Sequence, residues 1–163
     1  MKAVRLHHAA TIALGLSAAL LIDTPTAVAQ ISVKAVFEKY NLLGTFAWDC
    51  SKPASMDNRY YVHRAINTDF VQRDQMSGPT TRDWVARIER AAEVKPNELA
   101  VSATFTGRTM GKDLDSKPSS GLWRLEPNRL LQWEATIDGQ KVIHDGKLVS
   151  NGFQLPWASR CGD

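Results

Sequence analysis

The stretch "LLQWEATIDGQKVIHDG", residues 130–146, decides the fold class. Asp138-Gly139 lies between two runs rich in β-formers, and this pair readily adopts the positive φ values that a two-residue hairpin loop requires. Pairing outward from the loop sets Ile137 opposite Gln140, Ala135 opposite Val142 and Trp133 opposite His144. One face then carries Trp133, Ala135, Ile137, Val142 and His144. The other carries Gln132, Glu134, Thr136 and Lys141, with Ile143 as the exception. A dry face backed by a wet one is the pattern of an antiparallel sheet laid on a core.

A second hairpin precedes it in "ARIERAAEVKPNELAVSATFTG", residues 86–107, where Lys95-Pro96-Asn97-Glu98 has Pro at the favoured position of a type I turn. Counting outward sets Val94 opposite Leu99, Ala92 opposite Val101, Arg90 opposite Ala103 and Ile88 opposite Phe105. All but Arg90 are apolar, which a wrong register would not give. Trp84, Ile88 and Ala91 also fall at helical spacing, and Ala, Arg and Glu favour a helix. The hairpin register is the stronger of the two signals.

Strands are also expected at Phe46–Cys50, Tyr60–Ile66, Phe70–Met76, Leu122–Leu125 and Gly152–Trp157, with turn residues between them. Residues 32–40, "SVKAVFEKY", place Val33, Val36, Phe37 and Tyr40 at helical spacing, a short helix that must pack on something to persist. Residues 107–120, polar and rich in breakers, read as a long mobile loop, and Ser51–Arg59 as another loop. About eight to ten short strands in sequential hairpins, with helix only at the end, describe a barrel or a sandwich. The run of hairpins favours an all-β, small antiparallel up-and-down barrel.

The chain has 163 residues and a formal charge of +3. Residues 1–29 have the layout of a cleaved secretory signal: Lys2 and Arg5, an apolar stretch over 9–22, then Ala27-Val28-Ala29 before Gln30. The apolar stretch is short of the roughly 20 residues a spanning helix needs. Residues 30–163 are then one domain, near +2 in charge, with basic and acidic residues interleaved. That mixture gives no electrostatic footprint for nucleic acid. The expectation is a periplasmic protein, with extracellular release left open, lacking a membrane span and monomeric.

Two cysteines in an exported domain most simply form one disulfide, Cys50–Cys161. Closing so long a loop stabilises by roughly 4–5 kcal/mol on chain-entropy grounds. A reactive pair or a metal site fits poorly, since no Cys-x-x-Cys is present and His63 and His144 lie far from both cysteines in sequence.

The two ends of the domain carry a resemblance. A short helix followed by Gly44-Thr45-Phe46, with Trp48 two residues on and Arg160 beside Cys161, resembles the lipocalins and the wider calycin group. The resemblance implies a barrel in which the first-strand aromatic packs under an Arg from the C-terminal end. Gly44, Phe46, Trp48 and Arg160 would fill those structural roles, although Phe46 stands where the family has Trp. The layout is also similar to small periplasmic lipocalin-like inhibitors of metalloproteases with a single disulfide.

Two functions from different classes follow. A binding module would hold a small apolar or amphipathic ligand against the dry faces, through Trp84, Ile88, Val101, Phe105, Trp133 and His144. These side chains could equally just fill a core. Arg90 interrupts an apolar face, and pairing Ile66 with Phe70 sets Arg64 and Asp74 diagonally on one face with Val62. A buried charge needs a partner, so such an Arg would orient an acidic headgroup or close an ion pair, unless the register leaves it in water. The alternative is an interaction or inhibitor protein acting on a periplasmic enzyme through its loops. No triad order, phosphate loop or metal spacing points to catalysis, so no catalytic residue, metal or cofactor is expected.

Overall fold

The computed structural model describes residues 31–106, 108–109 and 112–162. The secretory-signal expectation lies outside these residues. Helix α1 spans Val33–Lys39, and the strands are β1 Gly44–Ala47, β2 Tyr60–Ala65, β3 Val71–Met76, β4 Arg82–Lys95, β5 Glu98–Thr106, β6 Arg108–Thr109, β7 Lys112–Asp113, β8 Pro118–Glu126, β9 Arg129–Ile137, β10 Gln140–His144, β11 Lys147–Leu148 and β12 Ala158–Arg160. Strands β12, β1, β2, β3, β4, β5, β8 and β9 follow one another around a ring in which every pairing is antiparallel. The ring closes because β12 pairs with β1 on one side and with β9 on the other. The fold is therefore an eight-stranded, up-and-down antiparallel barrel with a short N-terminal helix. The β10–β11 hairpin flanks the second half of β9.

One end of the barrel is filled. Ser32 caps α1, its Oγ accepting from the Ala35 N–H at 3.2 Å, and Val33, Val36 and Phe37 are buried. They pack with Leu42, Phe46, Val71, Leu99, Leu125 and Leu130 into one apolar cluster. These residues lie at the start of β1, β3, β5 and β9 and the end of β8, so all belong to the same rim. Among the described residues the opposite rim carries no such plug.

The ends are joined as the cysteines require. Cys50 and Cys161 form a disulfide with Cα atoms 5.4 Å apart, and the Cys161 N–H donates to the Thr45 carbonyl at 2.8 Å. Gly44 has φ +111°, a conformation that favours glycine, and the Arg160 guanidinium packs 3.0 Å from where a Cβ would stand. Arg160 Nη1 donates to the carbonyls of Leu43 and Asn41. Phe46 is fully buried opposite Arg160 in the ladder.

Three parts of the expected register change, each at a β-bulge. The β4–β5 turn is the two-residue Pro96-Asn97, with Asn97 at φ 62° and Lys95 opposite Glu98. Val94 and Glu89 are extra residues, so Leu99 faces Glu93, Val101 faces Ala91, Ala103 faces Ile88 and Phe105 faces Ala86. A bulge inserts one unpaired residue and re-aims those beyond it. In β10 the ladder shifts at Val142, and Ile143 rather than Val142 sits opposite Ala135. In β9 the shift falls at Trp133, because Leu122 faces Glu134 while Trp123 faces Gln132.

Two further expectations are corrected. Gly152–Trp157 is not a strand: Gly152 turns at φ 72°, Pro156 has no N–H to donate, and the closing strand is β12 instead. Residues 107–120 are not one irregular loop, since β6 pairs with β7 and β8 already begins at Pro118.

Candidate functional site: the barrel interior

Above the apolar plug the barrel encloses a cavity of about 640 Å³, within the range of small-molecule sites. Period-two alternation builds its wall. Tyr61 on β2, Arg73 and Gln75 on β3, Trp84, Ala86 and Ile88 on β4, and Val101, Ala103 and Phe105 on β5 all line it. Trp123 on β8 and Gln132, Ala135 and Ile137 on β9 extend the wall across the neighbouring strands. Small residues at Ala86, Ala103, Gly121 and Ala135 leave the space that larger ones would occupy. At Gly121 a Cβ would lie 2.5 Å from the Glu134 carbonyl oxygen, so the two strands approach closely there. Met56 and Phe153, both exposed, stand at the open rim, and Trp48 packs on Phe153 at 6.0 Å.

Four of the expected ligand-contacting residues, Trp84, Ile88, Val101 and Phe105, line this cavity, with Trp84 and Phe105 meeting edge to face at 5.0 Å. Five do not. Trp133, displaced by its bulge, faces outward under the Arg124 guanidinium, which lies 3.4 Å from its ring centroid. His144 is exposed and hydrogen-bonds Glu134 at 2.8 Å. Arg90 pairs with Ser102 on the outer face and is exposed. Arg64 and Asp74 share a face with Val62 as the hairpin register requires, but that face is the outside of the barrel. There they form an ion pair, Asp74 buried beneath the long Arg64 side chain and also accepting from Gln72 Nε2 at 2.9 Å.

The residue that sequence reasoning passed over is Arg73. It is only 3% exposed, lies between the outward Gln72 and Asp74, and points into the barrel. Its guanidinium sits 4.3 Å from the Tyr61 ring centroid, 4.8 Å from Trp123 and 5.5 Å from Trp84. Nη2 donates to Gln132 Oε1 at 3.2 Å, and buried Nε has no acceptor. Burial pulls its pKa down to about 10, with the Tyr61 phenol acting in the opposite sense. A signal was available, since Tyr61 and His63 pair with Gln75 and Arg73, so the aromatic face of β2 carries the Arg with it.

The charged groups buried elsewhere among the described residues have ion-pair partners, and Asn58 is fully engaged. Arg59 is ion-paired with Asp83, which also accepts from Gln75 Nε2 at 3.0 Å and from Ser77. Asn58 ties down the 51–59 loop through the Asp49 N–H and the carbonyls of Asp49, Lys52 and Pro53. His63, 1% exposed beneath Arg73, donates from Nδ1 to the Leu42 carbonyl at 2.8 Å and stacks on Trp123 at 5.6 Å. Burial first, and then the Arg73 charge, lower its pKa to about 3, so it is neutral, with Nε2 left unpaired. Arg73 alone among these side chains is a buried charge with no ion pair among the described residues.

Outside the barrel, Glu134, His144 and Asp145 present ligand atoms within 4.8 Å of one another. The Lys141 ammonium already lies 3.2 Å from Glu134 and 3.3 Å from His144 Nδ1, so a cation is built into this cluster. No helix among the described residues is long and apolar enough to cross a membrane. Comparison of the chain with protein-family models, with curated proteins and with solved structures gave no match.

Proposed function

We propose that the protein is an exported binding module that holds a small apolar or amphipathic molecule inside its barrel. The observation that carries this reading is the cavity of about 640 Å³ with walls of Trp84, Phe105, Ile88, Val101 and Ile137. A closed-packed interior leaves few voids larger than a water molecule, so a wall of large apolar side chains around open space is suited to an apolar guest. Each methylene moved from water into it contributes about 0.8 kcal/mol. The plug below makes the site one-ended, and Met56 and Phe153 give its entrance an apolar lip. The lipocalin-like layout of helix, Gly44-x-Phe46 and Arg160 supports the same reading, and the disulfide supports export to the periplasm.

The work proposed is holding rather than transformation. His63 lies in the plug with its donor committed to Leu42, and His144 stands outside the barrel. The test is native mass spectrometry of the protein purified from the compartment to which it is exported. A retained small molecule, released on denaturation, is the expected result. Protein that is always empty and takes up no apolar probe would refute the reading, and a co-purifying protein bound over Met56 and Phe153 would favour an interaction role instead.

A further inference from the structure

We propose that Arg73 is the recognition point for a single negative charge, so that the ligand is an amphipathic monoanion, a carboxylate or equivalent oxyanion head on an apolar body, bound head-first. This rests on the reading of the cavity as a ligand site and specifies what that site accepts.

The argument is one of unmatched charge. Among the described residues two arginines are buried, and they are treated differently. Arg59, at the rim, has Asp83 against it. Arg73, at the base of the cavity, has the rings of Tyr61, Trp123 and Trp84 around it, one amide oxygen at Nη2 and, among the described residues, nothing at Nε. A guanidinium taken out of water without a counterion is costly, and its N–H groups are costly to leave unmade. The rings of Tyr61 and Trp123 crowd the guanidinium without accepting from its N–H groups, and Nε is left as the free donor. An oxyanion accepts in the guanidinium plane, where N–H groups diverge in a fixed fork. The Tyr61 side chain on β2 and the Gln132 amide on β9 line the cavity beside Arg73 and can add to its polar base.

Charge count and direction set the ligand class. One unpaired cation matches one negative charge, because Arg59 is already neutralised. From Arg73 toward the rim one side of the wall runs through Trp84, Phe105 and Ile137, while the polar groups Gln75 and Arg59 on the other side are tied to Asp83. The ligand's head therefore lies deep and its tail toward Met56 and Phe153.

The test compares three probes of the same chain length, dodecanoate, dodecan-1-ol and dodecylamine, titrated at neutral pH into the full-length exported protein and followed by tryptophan emission and calorimetry. Dodecanoate is expected to bind at least tenfold more tightly than dodecanol, about 1.4 kcal/mol, with dodecylamine weakest. In Arg73→Met the preference should fall to within about threefold while dodecanol binding is kept, a loss the charge-assisted hydrogen bonds alone can account for. Arg73→Gln, which keeps polar atoms at the site, is the second variant should the first fold poorly. Equal binding of acid and alcohol by the native protein, or a preference that survives both substitutions, would overturn the assignment of Arg73 and leave the cavity reading standing. Failure of all three probes to bind the native protein would overturn the cavity reading itself.

Discussion

Arg73→Met in the ligand-free protein is the substitution whose effect on stability is most informative. Burial lowers the Arg73 pKa from its ordinary value to about 10, which corresponds to about 3 kcal/mol held against the charged form. The nearby rings of Tyr61 and Trp123, 4.3 and 4.8 Å away, return up to about 2 kcal/mol as cation–π attraction in a dry site. The balance is small and unfavourable to the guanidinium, and a thioether of similar length can fill the same space between the rings. The expected result is therefore a domain that is unchanged or stabilised by up to about 2 kcal/mol, as found when buried ionic groups are replaced by apolar ones. For a domain of this size that is a rise in Tm of up to roughly 6 °C. Urea and thermal unfolding followed by circular dichroism measure it, with an unchanged m-value as the control for cooperativity. A loss of more than about 2 kcal/mol would show that the guanidinium holds the core together, and the argument that it awaits a ligand would fail.

Cys50→Ser with Cys161→Ser opens a loop of 111 residues and should cost about 2–5 kcal/mol, read by urea unfolding under matched conditions. Gly121→Ala sets a Cβ 2.5 Å from the Glu134 carbonyl oxygen, which should cost about 1–3 kcal/mol as an overpacked contact; an unchanged midpoint would mean that β8 and β9 are not so close. His63 has a folded pKa near 3 against an ordinary 6.5, so between those values the unfolded chain binds more protons. Stability is then full above pH 6.5 and falls as pH decreases, approaching about 1.4 kcal/mol per pH unit. His63→Gln, which can still donate to the Leu42 carbonyl, should flatten the profile between pH 6.5 and 5, where carboxylates contribute little; an equally steep profile would refute the buried neutral histidine.

Much of this architecture is legible in residue spacing. Asp138-Gly139 fixes one hairpin, Ser32 and the Val33, Val36, Phe37 spacing fix the helix, and the cysteine pair joins the ends. Bulges are not legible. An extra residue at Glu89, Val94, Trp133 or Val142 costs the ladder one hydrogen bond and leaves no compositional mark, yet each re-aims everything beyond it. That is why Trp133, His144 and Arg90 were expected inside and lie outside. The misplacement of Arg64 and Asp74 has another cause. Their pairing was right, but hairpin register does not say which face of the ribbon meets the core, and the decision turned on Tyr61 and His63 on the opposite face. Arg73 was hidden by the ordinary rule that charges face water, which fails where a charge is kept for a partner that is not part of the chain.

The central claim is that a closed barrel keeps an unpaired guanidinium at the base of an apolar cavity. A crystal structure of the protein with dodecanoate tests it most directly. The account predicts the carboxylate within hydrogen-bonding distance of Arg73 Nε and the alkyl chain running past Trp84 and Phe105 toward Met56. An interior filled by its own side chains, an acid group lying at the rim, or Arg73 paired with a carboxylate of the protein would contradict it.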